Sequence, residues 1–188
     1  GLLKSVIEPF GDRVVFVDDG VVPDADVVHV DSVVAKAREA NVDALVAVGG
    51  GSVIDSAKGA AAGLAKGKPV AEFEGIATIK TKLLPLVCVP TTAGTGSEAT
   101  QFCVLKDRQA QKKRIYTDLS LVPALAVLDP LLAVGLPRAV TAATGVDAIT
   151  HAVEALASKM RNPVGDALAY EALRLLISER ALARALGV

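Results

Sequence analysis

Short continuous apolar runs alternate along the chain with longer stretches whose apolar positions recur every three or four residues. "ALVAV" (44–48), "LPLVCVP" (84–90) and "ALAVLDP" (124–130) are of the first kind. Runs without polar alternation suit strands buried on both faces, as in a parallel sheet. "RVVFVDD" (13–19) also reads as a strand, and "LLKSVIEPF" (2–10) as the end of a helix. Val27, Val30, Val34, Ala37 and Ala40 predict a helix with Asp26 near its cap, although the β-branched "DVVHV" keeps a strand open there. An alanine-rich helix follows Gly49-Gly50-Gly51 in "SVIDSAKGAAAGLAKG". After Pro137 the period is helical almost to the end, with breaks expected at Gly145 and around Asn162-Pro163. The closing "VGDALAYEALRLLISERALARAL" reads as one amphipathic helix. The pattern predicts an α/β fold with a mainly parallel sheet over residues 1–135, then the beginning of a helical domain over 136–188.

Composition narrows the function classes. The chain has 188 residues, 52% of them hydrophobic, and a formal net charge of −1, enough for a sizeable core. Near neutrality leaves no electrostatic reason for a nucleic acid or an anionic membrane as partner. The basic residues are dispersed except for Lys112-Lys113-Arg114. No apolar run reaches the length of about 18 residues that a membrane span needs, and "GLLKSVIEPF" lacks a signal-peptide layout. Cys88 and Cys103 read as two buried thiols in a reducing compartment, which makes the cytoplasm the expected location.

Two glycine-bearing segments carry candidate chemistry. "AVGGGSVIDSAK" is a strand, a glycine turn and a helix start, an arrangement that brings backbone N–H groups up to a phosphate. It is neither the G-x-G-x-x-G fingerprint nor a Walker loop. For Ser52 and Asp55 alone a capping box is the commoner explanation, but it does not require three glycines. "VPTTAGTGSEAT" (89–100) follows the next apolar strand, with hydroxyls at Thr91, Thr92 and Thr95 and an open backbone at Gly94 and Gly96. Loops at the carboxyl ends of parallel strands are where open α/β sheets bind ligands, although Thr and Gly are also ordinary turn residues. Two such loops on neighbouring strands favour a nucleotide site, with a pyrophosphate as the natural guest.

"GVDAITHAVEA" (145–155) adds a third feature: Asp147 and His151 stand four apart on a predicted helix, so both point off one face. Two metal ligands would be arranged so, but a protein-held catalytic metal needs about three or more. Taken alone, capping and a core histidine are the commoner uses of such residues. The only other histidine, His29, falls in a different register and reads as a helix-face residue.

Together "GGGSVIDSAK", "PTTAGTGSEAT", "AVLDP" and "LPRAVTAATGVDAITHAVEA" resemble, in order and spacing, the iron-containing (group III) alcohol dehydrogenases. The resemblance runs from about "DDGVVPDAD" (18–26) to the final helix. It implies a dinucleotide-binding domain followed by a helical metal-binding domain, with the active site in the cleft between them. It also implies interconversion of an alcohol and an aldehyde or ketone with NAD or NADP, aided by a divalent metal, iron more often than zinc. By position, Gly50, Gly51, Ser52 and Asp55 would follow the pyrophosphate towards the nicotinamide, and Thr91, Thr92 and Thr95 would line the cofactor from the next loop. Lys113 falls where the family has a lysine near the cofactor ribose, though an exposed charge in a basic trio remains an equal reading. Asp24, within "PDAD", departs from the family's usual "PNP" on the adenine side. Asp147 and His151 match the first two metal ligands; the other two in the family are histidines further along the chain.

The same resemblance implies that the sequence is an internal portion, lacking a first strand and most of the helical domain, and that the protein is a homo-oligomer, a dimer by family pattern. The substrate is then a small alcohol or aldehyde, and no dedicated general base is required. Two alternatives stay open: a metal-independent enzyme like the maleylacetate reductases, and a nucleotide-binding module without catalysis. Substrate identity and the choice between NAD and NADP are not written in these residues.

Overall fold

The computed structural model describes residues 2–178 and 181–187. The first half contains α1 (Leu2–Ile7), α2 (Val27–Glu39), β1 (Leu45–Gly49), α3 (Gly51–Lys66), β2 (Gly75–Ile76) and β3 (Leu86–Pro90). Next come β4 (Phe102–Asp107), β5 (Lys112–Thr117) and β6 (Leu125–Ala126). The helices α4 (Arg138–Ala157), α5 (Pro163–Leu173) and α6 (Ala181–Leu186) complete the order.

The three continuous apolar runs form one sheet, in the order β1-β3-β6, and every pairing in it is parallel. Leu45 pairs with Leu86 and Gly49 with Pro90, so the two strands end together. Ala47, Leu86 and Cys88 are buried against Ile54 of α3, which covers one face. A second sheet, β2-β5-β4, carries an antiparallel β4–β5 hairpin. Its inward residues Cys103, Leu105 and Tyr116 pack with Val30 and Val34 of α2 and Ala60 and Ala62 of α3 into the larger core. Both cysteines are free and buried, as expected, and burial pushes the Cys88 thiol up to about 11.

Asp26 caps α2 by accepting from the backbone N–H groups of Val28 and His29, at 2.9 and 3.4 Å, which settles "DVVHV" as helix. The other differences from the sequence reading have local causes. Residues 13–19 form no strand: among the described residues no strand pairs with them, and Val15 and Val17 stay exposed. Gly145 does not break α4, which runs through it. A Cβ at this position would meet Leu182 Cδ1 of α6. Asn162 does mark a break, capping α5 through Val164 and Gly165. The closing stretch is not one helix, since α5 passes into a π turn at Arg174–Ser178 before α6.

The chain divides into two compact units. One comprises the residues up to Pro90 together with Ser97–Leu128; the other comprises Thr91–Gly96 and the residues from Asp129 onward. Among the described residues no helix is long and apolar enough to cross a membrane.

Candidate functional site

The glycine turn carries β1 directly into α3. Gly50 is the N-cap and no side chain caps the helix; its carbonyl receives the N–H groups of Val53 and Ile54 at 3.0 and 3.1 Å. The capping box does not form. Ser52 Oγ instead accepts the backbone N–H of Asp24 at 3.2 Å. Asp55 accepts from Ser97 Oγ at 2.5 Å and from the Val104 N–H at 3.0 Å. The first turn of α3 therefore presents backbone N–H groups and a positive dipole end, with no acidic residue in that turn and no side-chain cap among the described residues, which suits a bound anion. Gly49 is a position of close approach, since a Cβ there would lie 2.6 Å from Val53 Cγ2. A cradle of bare backbone at a helix start fits a pyrophosphate.

Burial raises the Asp55 carboxyl above the usual aspartate value, against the two hydrogen bonds and the Lys58 charge, which lower it. Because Pro90 pairs with Gly49, the threonine loop leaves β3 at the same end of the sheet at which the glycine turn leaves β1. Thr91 and Thr92 are half-buried and Thr95 is exposed. Gly94 packs against α4, where a Cβ would sit 2.6 Å from the Thr144 carbonyl oxygen.

Lys113 stands on β5, mostly exposed, with Nζ 3.6 Å from Asp24 Oδ1; Lys106 Nζ lies 3.4 Å from Asp24 Oδ2. The hydrogen bond from Lys106 and the charge of Lys113 hold the Asp24 carboxyl below its usual range. Asp24 has φ of +59°, a left-handed conformation that Asp and Asn tolerate better than most residues. Four residues far apart in sequence, Asp24, Ser52, Lys106 and Lys113, thus meet beside the start of α3.

Asp147 and His151 do share one face of α4. Asp147 Oδ2 lies 3.6 Å from His151 Nε2, and the side chains are 44% and 56% exposed. That separation is too long for a hydrogen bond and leaves both donor atoms open to a cation. A carboxylate with an imidazole is a donor set that iron(II) and zinc accept. Among the described residues no group of three or more His, Cys, Asp or Glu converges, so these two alone do not close a coordination sphere. His29 is engaged elsewhere, its Nε2 2.8 Å from Asp18 Oδ2.

Lys58 escaped the sequence reading. It is fully buried, and its ammonium donates to the carbonyls of Thr100 and Phe102 at 2.7 and 2.8 Å. A lysine three residues after Asp55, on a helix face otherwise made of alanine and glycine, was the available signal. A cleft of about 350 Å³, lined by Leu83, Leu86, Leu121 and the Lys58 stem among others, opens at the amino end of β3, away from the glycine turn.

Residues 1–130 match the family model described as iron-containing alcohol dehydrogenase, and residues 141–186 match the C-terminal model of the Fe-containing alcohol dehydrogenase family. The chain is 43% identical over 169 residues to a 1,3-propanediol dehydrogenase of Klebsiella pneumoniae, covering 90% of this chain and 44% of that protein. With alcohol dehydrogenase 4 of Schizosaccharomyces pombe it shares 40% identity over 158 residues, 84% of this chain and 37% of the other. The chain thus spans less than half the length of these relatives. A crystal structure of a 1,3-propanediol oxidoreductase superposes with a TM-score of 0.87 at 41% identity, over 92% of this chain and 45% of that one. Sulfoacetaldehyde reductase from Bifidobacterium kashiwanohense, solved in complex with NAD+, gives 0.79 at 33% identity, over 89% and 45%. With family models matching from residue 1 to 130 and again over 141–186, on a parallel sheet that puts the glycine turn and the threonine loop at one end, the chain belongs to the iron-containing alcohol dehydrogenase family.

Proposed function

We propose that the protein interconverts a small alcohol and the corresponding aldehyde or ketone, using NAD or NADP and a divalent metal, iron(II) before zinc. The observation that carries this reading is the uncapped start of α3 behind Gly49-Gly50, at the end of β1 beside which the threonine loop begins. The N–H groups of Gly51 and Ser52 would hold the pyrophosphate, and Thr91, Thr92 and Thr95 would line the dinucleotide. Lys113 and Asp24 would lie on its adenosine side, and Asp55 would act by holding the end of the threonine loop. Asp147 and His151 would supply two ligands to the ion. When bound, the dinucleotide carries the hydride and the ion polarises the substrate oxygen.

We also assign residues 1–135 to cofactor binding and 136–188 to metal binding, in a cytoplasmic homodimer. The test is NADH fluorescence titration with and without Fe(II) or Zn(II), alongside metal analysis and alcohol oxidation rates of a His151→Ala variant. That variant should lose metal and turnover while keeping NADH affinity, because the two groups use different segments. Retained metal and rate in His151→Ala would end the metal-dependent reading.

A further inference from the structure

Lys58 is a fully buried cation that the proposed chemistry does not use. Burying a lysine charge is unfavourable unless its donors are satisfied, and an apolar residue of similar size fills such a place at least as well for packing alone. The Lys58 ammonium is satisfied in a specific way. All three of its acceptors, Thr100 O, Thr100 Oγ1 and Phe102 O, fall within three residues where the chain enters β4. β4 is an edge strand of its sheet, and the pairing found on its outer side among the described residues is the bridge from Lys106 to Asp26, with the Lys106 N–H on Ala25 O at 2.6 Å.

One turn earlier on α3, Asp55 holds Ser97 Oγ and the Val104 N–H. Two charged side chains of one helix thus grip the segment 97–104 at four residues. That segment begins where the threonine loop ends, after Gly96 with its φ of +64°. The other end of the loop is fixed at Pro90 by pairing with Gly49.

We propose that Lys58 is a positioning residue for the dinucleotide site, fixing the exit of the Thr91–Gly96 loop to the helix whose start forms the phosphate cradle. This rests on the reading of the Gly49–Ser52 turn as that cradle. Lys58 touches no ligand itself; it acts through Thr100 and Phe102. Small misplacements of groups that bind or orient a ligand have large effects, so the role has a measurable signature.

The experiment compares NADH affinity of the parent protein with Lys58→Met, Lys58→Ala and Gly51→Val, each well below its own melting temperature. Lys58→Met should raise the NADH dissociation constant about tenfold. In Lys58→Ala the stem is removed beside the cleft, and added ethylammonium should restore affinity by refilling the ammonium position. Folded Lys58→Met protein with parental affinity, where Gly51→Val binds weakly, overturns the positioning role and leaves the cradle standing. Parental affinity in both overturns the cradle as well. If neither Lys58 variant folds, hydrogen exchange on the parent decides: NADH should slow exchange at Phe102 and Val104 as well as at Gly51 and Ser52. Protection confined to residues 49–55 overturns the proposal.

Discussion

The backbone N–H of Asp24 donates to Oγ of Ser52 across 28 positions of sequence, at 3.2 Å. This hydrogen bond ties the left-handed turn at Asp24 to the first turn of α3, in which Ser52 is the second residue. It also brings the Asp24 carboxylate, with Lys106 and Lys113, beside the bare helix start.

Asp24→Asn should keep the turn, since asparagine adopts positive φ as readily, while releasing both lysines from their carboxylate. A free cationic pair favours a ligand carrying an extra phosphate. The affinity ratio of NADPH to NADH should therefore rise roughly threefold, on the scale of exposed ion pairs, and the gain should fade with added salt. Fluorescence titrations with the two dinucleotides at low and high salt measure this; an unchanged ratio would place the cluster outside the cofactor's reach.

Gly94 and Gly145 both approach a neighbour too closely for a Cβ, but their neighbours differ. At Gly145 the obstacle is the flexible end of Leu182; at Gly94 it is the backbone carbonyl of Thr144 inside α4. A helix carbonyl cannot step aside, so Gly94→Ala must displace the threonine loop, at a cost of about 1–3 kcal/mol. Thermal melts should show Gly94→Ala clearly destabilised. Gly145→Ala should be close to neutral, because the helix propensity gained by replacing glycine offsets a small shift of Leu182. Equal stability of Gly94→Ala and the parent would show that the loop does not rest on Thr144.

Several of these relationships could not be read from the sequence. The strands at 45–49, 86–90 and 125–126 were legible because burial on both faces leaves an unbroken apolar run. The cap at Asp26 was legible because capping is local. The β4–β5 hairpin was obscured by Phe102 and Ile115, exposed on its outer side, which blur the alternation that marks a half-buried strand. The segment 13–19 has strand composition, but composition does not supply a neighbouring strand. Asp55 stood three residues after Ser52 as a capping partner would, yet its partners are Ser97 and Val104, 42 and 49 residues away. Spacing reports local geometry, and the site is held by contacts between segments distant in the chain.

Asp55 also gives the stability a pH signature. Burial raises its folded-state pKa above the unfolded value, so its contribution is fully present below the ordinary aspartate range and is lost as pH rises through the folded value. Asn cannot ionise. The melting temperature of the parent minus that of Asp55→Asn should therefore fall as pH increases from about 3 towards 7. A difference that stays flat, or grows with pH, would mean that the hydrogen bonds from Ser97 and Val104 outweigh burial.

The most direct measurement is an NADH fluorescence titration of the parent and Gly51→Val proteins, with circular dichroism to establish that both are folded. A valine side chain at the first residue of α3 would stand where the proposed pyrophosphate meets backbone N–H groups. The parent should bind NADH, and Gly51→Val should bind it at least about tenfold more weakly, the loss of roughly one charge-assisted hydrogen bond. A folded Gly51→Val protein with the parent's NADH affinity would contradict the assignment of the glycine turn as the cofactor cradle.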